Sequence, residues 1–381
     1  MKLPFINDFG DRSVFITGYT GFKGSWLTLW LHRLGARLTG YSLPPPTHPS
    51  NFVASGVANA VVRRHNADVR DAATLQVALE ACRPEVVFHL AAQPVVRQSY
   101  IDPRQTLEVN VMGTANLLEA VRNLHRPCTV VVITSDKCYE NGGQPWEHSE
   151  TDRLGGNDPY SASKAAAEII TAAYRRSFFT PEDLDRHGVR VATVRAGNVI
   201  GGGDWTADRI VPDTVRALST HQPVLVRNPA AIRPWQHVLE PLSGYLLLAS
   251  RMLSSDDAEL CAGWNFGPRA GDEATVGQLV EKFCQAWGSG CWQSIGNREQ
   301  PPEDHVLRLS VDKAKAGLGW EPRWRFNEAI ERTARWYRAF YASSARCARD
   351  LCLQDISDYE DSSASSDLSF VPECQMSALR I

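Results

Sequence analysis

Thr17 to Gly24 reads TGYTGFKG, and this stretch decides the fold. It sets Gly18, Gly21 and Gly24 three residues apart, between Ser13 to Thr17 (SVFIT) and Trp26 to Leu34. The first flank is a short β-branched and aromatic run, and the second repeats apolar residues at helical spacing, so strand, tight turn and helix follow one another. In that setting the glycines permit the turn, let backbone approach a pyrophosphate, and let the helix pack on the strand. The helix N-terminus adds free N–H groups and its dipole. Gly18, Thr20, Gly21, Phe22, Lys23 and Gly24 are therefore candidates for holding a dinucleotide.

Working outward, the same alternation recurs. Arg37 to Tyr41 is strand-like, Ala72 to Ala81 helical, Glu85 to Leu90 a buried strand and Thr106 to Leu124 helical. Thr129 to Thr134 and Arg190 to Val194 are further β-branched strands, separated by a helix over Asp158 to Tyr174. Strands alternating with helices predict an α/β fold, a Rossmann-type doubly wound parallel sheet. Past about Asp204 the pattern gives way to short, proline-punctuated elements, read as a smaller mixed α/β substrate-binding lobe. The division expected is a dinucleotide domain over 10–200, with 238–262 returning to it, and a lobe mainly over 201–342. Serine-rich, acidic composition (DSSASSDLS from Asp361) predicts a flexible tail over 343–381.

The 381 residues are 43% hydrophobic and 22% charged, with a net charge of −3, which gives no bulk attraction to nucleic acid or to an anionic membrane. Nine scattered cysteines with no CxxC pair argue against a disulfide framework or a zinc cluster, so no metal is expected and a cytoplasmic setting fits. The first residues read as no secretory signal, and no apolar run is long enough to span a bilayer.

Other residues join the cradle. Asp68 in ADVRD follows a third strand, where it can accept a hydrogen bond from an adenine amino group or cap a helix. Val69, and Leu90 with the small Ala91 and Ala92 at the end of the fourth strand, complete the expected lining; His89 reads as a satisfied core histidine. The second strand ends in Ser42, Leu43 and three prolines, without the acid that would hold an adenosine ribose, so charge does not separate NAD from NADP. Tyr160 and Lys164, in YSASK, share a helix face, and the ammonium favours a phenolate able to take a hydroxyl proton. Ser135 stands at the end of a buried strand as their hydroxyl partner, followed by Asp136 and Lys137.

TGYTGFKGSW, HLAAQPVVRQSY, ITSDKCY, DPYSASK, VRAGNVIGGGDW, IRPWQHVLEP and LGWEPRW resemble the signature blocks of CDP-glucose 4,6-dehydratases, a group of the extended short-chain dehydrogenases. The resemblance runs from about Thr17 to Trp324. It implies NAD as cofactor, CDP-glucose as substrate, internal hydride transfer with loss of water, and a homodimer or higher homo-oligomer. On this resemblance Ser135, Asp136, Lys137, Tyr160 and Lys164 are the catalytic set, with Asp136 as acid and Lys137 in the place of a glutamate base. Gln93, Asn198, Arg209, Arg233 and His237 are the expected substrate-binding residues. An epimerase or a dehydratase for GDP-mannose, dTDP-glucose or a UDP-sugar shares the cradle and YxxxK, and a non-catalytic NAD-binding scaffold is a further reading. The TSDK tetrapeptide favours dehydration.

Overall fold

A computed structural model describes residues 3–143, 146–296, 307–342 and 347–362. Its centre is a seven-stranded sheet, parallel throughout. The strands are β1 (Ser13–Thr17), β2 (Arg37–Ser42), β3 (Arg63–Asn66), β4 (Val86–His89), β5 (Cys128–Ile133), β6 (Val189–Arg195) and a last strand over Gly263–Asn265. Across the sheet they run Gly263–Asn265, β6, β5, β4, β1, β2, β3. The order reverses between β1 and β4, and ligands of open α/β sheets bind at such a switch point, beyond the carboxyl ends of the strands. β4 and β5 are buried at every position because helices cover both faces, which is why they read as continuous apolar runs. β3, on the edge, is mostly polar and exposed.

The fold class matches the sequence reading, with local differences. The expected helix over Thr106 to Leu124 is Pro103–Leu107, a π-helical turn over Glu108–Met112, and Gly113–Arg122. The extra residue in that turn accompanies a demand on Asn110, whose side chain accepts from Gln93 N at 2.8 Å and donates to Ser163 Oγ at 2.8 Å.

Beyond β6, three two-stranded sheets and the helices Ile210–Ser219, Val276–Trp287 and Phe326–Ala342 form the second layer around the strand ends. The Leu239–Ser254 helix, buried over most of its length, packs on β5, and Gly263–Asn265 pairs with β6.

One expectation is corrected. Part of the segment read as tail, Ala348–Asp361, is a helix burying Leu351, Cys352, Ile356 and Tyr359 at helical spacing against Phe22–Arg33 (α1) and its surroundings. Tyr359 Oη donates to the buried Glu240 at 2.7 Å, and the same carboxylate accepts from the backbone N–H groups of Arg323 and Trp324. The serine-rich composition that suggested a tail begins only at its last turn. Residues 363–381 lie outside the described residues.

Candidate active site

The glycine loop leaves β1 at Gly18, whose φ of +71° a side chain rarely adopts. A Cβ there would lie 2.6 Å from Ala91 N, and one on Gly24 would lie 2.2 Å from Gly18 O, so β1, β4 and α1 meet closer than any side chain allows. Gly21 differs: its Cβ would touch only Gly18 O, at 3.4 Å, and would project into the cradle. Gly21 is the N-cap of α1, makes no side-chain cap, and is followed by no acid in the first turn. Open N–H groups, a positive helix end and a bare-backbone approach fit a dinucleotide diphosphate. Thr20 Oγ1 ties the loop to the end of β2, meeting Ser42 Oγ at 2.7 Å and donating to Leu43 O at 2.9 Å.

At the far end of the cradle, Asp68 and Val69 line the same cleft as Leu90, Ala91 and Ala92. Asp68 is paired with Arg70 at 2.8 Å; partial burial opposes ionisation, but Arg70 holds the carboxyl below its ordinary range. His89 meets Thr17 Oγ1 at 2.8 Å and Thr114 Oγ1 at 3.2 Å. Burial, with Lys164 nearby, lowers it to about 3, so it is a neutral, satisfied core group.

The reacting groups converge from β5 and from the Pro159–Ser177 helix. Asp158 caps that helix through Ser161 N at 3.0 Å, which turns Tyr160 and Lys164 onto the face that meets the end of β5. Lys164 Nζ donates to Ile133 O at 3.3 Å, and Ser135 hydrogen-bonds the Tyr160 phenol. Burial raises Tyr160 to about 12, opposed by Ser135 and Arg209, and lowers Lys164 to about 8, opposed by Glu168. Ser135 Oγ also donates to Asp136 Oδ1 at 2.9 Å, and Lys137 N donates to Ser135 Oγ at 3.3 Å. The other Asp136 oxygen is buried without a hydrogen-bond partner. Burial raises this carboxyl, against Lys137, Ser135, Lys23 and Arg233. A desolvated acid with one open oxygen favours its protonated form.

Asn198, Arg209 and Arg233 line the cleft, whose volume is about 1830 Å³. Gln93 and His237 are not brought there, which corrects their expected role. Gln93 donates to Thr106 Oγ1 at 2.9 Å and accepts from Val95 N at 2.6 Å, so it braces its own loop. His237 is fully buried and packs edge-on against Trp26 and Trp324 behind the cleft.

Several residues in and beneath the cleft carried no local signal. Arg97 and Arg227 both reach Asp208, at 3.0 and 3.3 Å, joining three separate stretches of chain at the cleft mouth. Glu168, one turn beyond Lys164, accepts from Thr193 Oγ1 at 2.6 Å and Arg195 Nη2 at 2.8 Å, and also from Thr134 Oγ1. It thereby clamps the ends of β5 and β6 beneath the lysine. Among the described residues no cluster of three His, Cys, Asp or Glu could hold a metal, and no helix is long and apolar enough to cross a membrane.

Residues 15–333 match the family model described as GDP-mannose 4,6 dehydratase. The chain is 46% identical over 355 residues to a CDP-glucose 4,6-dehydratase of Salmonella typhimurium, covering 93% of this chain and 97% of that protein. It is 29% identical to a dTDP-glucose 4,6-dehydratase of Streptomyces antibioticus, covering 86% and 92% of the two chains. Among solved structures it superposes on a UDP-glucose 4-epimerase of Thermus thermophilus in complex with NAD, at a TM-score of 0.71 and 26% identity, over 85% and 98% of the chains. The chain belongs to the nucleotide-sugar 4,6-dehydratase family.

Proposed function

We propose that the chain converts CDP-D-glucose to CDP-4-dehydro-6-deoxy-D-glucose with NAD held along the glycine loop. The observation that carries this reading is the meeting of Ser135, Asp136 and Lys137 with Tyr160 and Lys164 in one cleft beside the cradle. The choice of CDP-glucose rests on the Salmonella relative. NAD, when bound, supplies the acceptor for a hydride from C4 and returns it at C6.

The protein's share is proton handling. Tyr160 takes the C4 hydroxyl proton and Ser135 orients that hydroxyl; burial raises the phenol in the protein alone, so its phenolate needs the positive charge of Lys164 and of bound oxidised nicotinamide. A ketone at C4 acidifies the C5 proton, and Lys137 is the group proposed to remove it. Asp136 gives its proton to the departing C6 hydroxyl, so water leaves and a C5–C6 double bond forms. Hydride returned to C6 and a proton to C5 complete the 4-keto-6-deoxy sugar. Asn198, Arg209 and Arg233 are the groups proposed to hold the substrate diphosphate and sugar, with cations matched to phosphate oxygens.

Assembly as a homodimer or higher homo-oligomer is part of the proposal. Ile101 (76% exposed), Met112 (53%) and Ile169 (55%) lie on the helices 96–101 and 159–177 and the π-helical turn 108–112. Exposed large apolar side chains on these elements suit a second copy. The described cysteines are all unpaired thiols, which supports a reducing, cytoplasmic compartment.

Incubation of the purified protein with CDP-glucose, and separately with dTDP-glucose, UDP-glucose and GDP-mannose, tests the reading. A 4-keto-6-deoxy product from CDP-glucose alone supports it. Product from another sugar nucleotide overturns the cytidine assignment, and none from any overturns dehydration.

A further inference from the structure

Lys23 is the one lysine of the glycine loop, on the first turn of α1, and it lines the cleft. Its ammonium has no hydrogen bond or ion pair among the described residues. The charges that act on it are Arg209, Lys164 and Asp136, which line the same cleft, and Asp68, also in the lining, is not among them. Two of those three neighbours are cations, and burial with their repulsion draws Lys23 down to about 7. An unpaired ammonium in such company destabilises the protein alone, so its use lies in what enters the cleft.

Two ligand features can answer it: the dianionic diphosphate that the loop backbone faces, and the ring that gains or loses charge. Oxidised nicotinamide is cationic and the reduced ring is neutral, so a nearby ammonium repels one redox state and not the other. Sharing the cleft lining with Lys164 and Asp136 and feeling their charges, but not that of Asp68, favours the ring end. We propose that Lys23 sets the redox poise of the bound cofactor, weakening the oxidised form relative to the reduced form. This rests on the placement of NAD along the glycine loop proposed above. Hydride uptake from C4 is thereby assisted, and reduced cofactor is retained while water leaves. A reduced cofactor lost midway would strand a 4-keto sugar without its hydride.

The test is equilibrium binding of NAD⁺ and NADH to the full chain without substrate, for wild type, Lys23→Met, Lys23→Arg and Gly21→Val. Wild type is expected to bind NADH more tightly than NAD⁺. Lys23→Met should shrink that preference about tenfold, the scale of one screened unit charge at several ångströms, and Lys23→Arg should keep most of it. Equal loss of both affinities in Lys23→Met would mean that the ammonium serves only the diphosphate, and an unchanged ratio overturns the proposal as well. Gly21→Val, which fills the cradle with little contact to the protein, should weaken both forms together. If it leaves both unchanged, the cofactor placement itself fails, whatever the lysine does.

Discussion

A Cβ on Gly197 would lie 2.3 Å from Oδ2 of Asp136. The oxygen that lacks a hydrogen-bond partner thus occupies space that only a glycine leaves open. Substituting Gly197→Ala should push the carboxyl aside, because its side-chain end yields more readily than backbone. We expect dehydration to slow by about 10²-fold, within the range of a misplaced general acid. Cofactor reduction on adding substrate, read at 340 nm, should persist. Full-rate dehydration in Gly197→Ala would show that the acid acts from another position.

Asp136→Asn removes the same proton donor without changing shape. Turnover should fall by about 10²–10⁴-fold, with reduced cofactor and 4-keto sugar accumulating. The pH dependence has a definite sign. Burial raises the Asp136 pKa, so the acid form persists above the ordinary carboxylate range and is lost as pH rises through the raised value. Elimination in the wild type should therefore lose rate on its alkaline side by a step that Asp136→Asn lacks. Stopped-flow rates of the elimination across pH check this.

Tyr160→Phe should abolish the first step instead. The side chain is 7% exposed and nearly isosteric with its replacement, so the fold should hold. Cofactor reduction by substrate should drop by about 10³-fold or more, with nucleotide-sugar binding retained. Reduction at the wild-type rate would remove Tyr160 from the role of base.

A stability prediction concerns the C-terminal helix. Burial raises Glu240 to about 7, against the hydrogen bonds from Tyr359, Trp324 and Arg323. The folded pKa exceeds the unfolded one, so the native state binds more protons between about 4.5 and 7, and stability falls as pH rises through that window. Asp355, raised to about 6 by burial, acts with the same sign. Glu240→Gln should flatten this part of the melting-temperature profile, and a slope unchanged from wild type would place the titration elsewhere.

What the sequence revealed was local. TGYTGFKG and YSASK are single stretches whose spacing alone sets neighbours on a turn or a helix face. The Arg97–Asp208–Arg227 cluster and the Glu168 clamp draw on separate stretches of chain, and no pattern within any one of them announces the meeting. Gln93 and His237 sat inside motifs that also carry cleft residues, and short-range adjacency did not tell which side chain turns inward. The helix over Ala348–Asp361 was hidden by mixed composition, since a charged residue, Asp355, shares its buried face with Ala348, Leu351, Cys352, Ile356 and Tyr359.

In the proposed reaction one hydride leaves C4 of the substrate and returns to C6 of the same sugar. The direct measurement is conversion of CDP-[4-²H]glucose, with the product's label located by NMR. Deuterium is expected at C6 of the 4-keto-6-deoxy product and none in solvent. Deuterium kept at C4 of an epimerised sugar, or released to water, would contradict it.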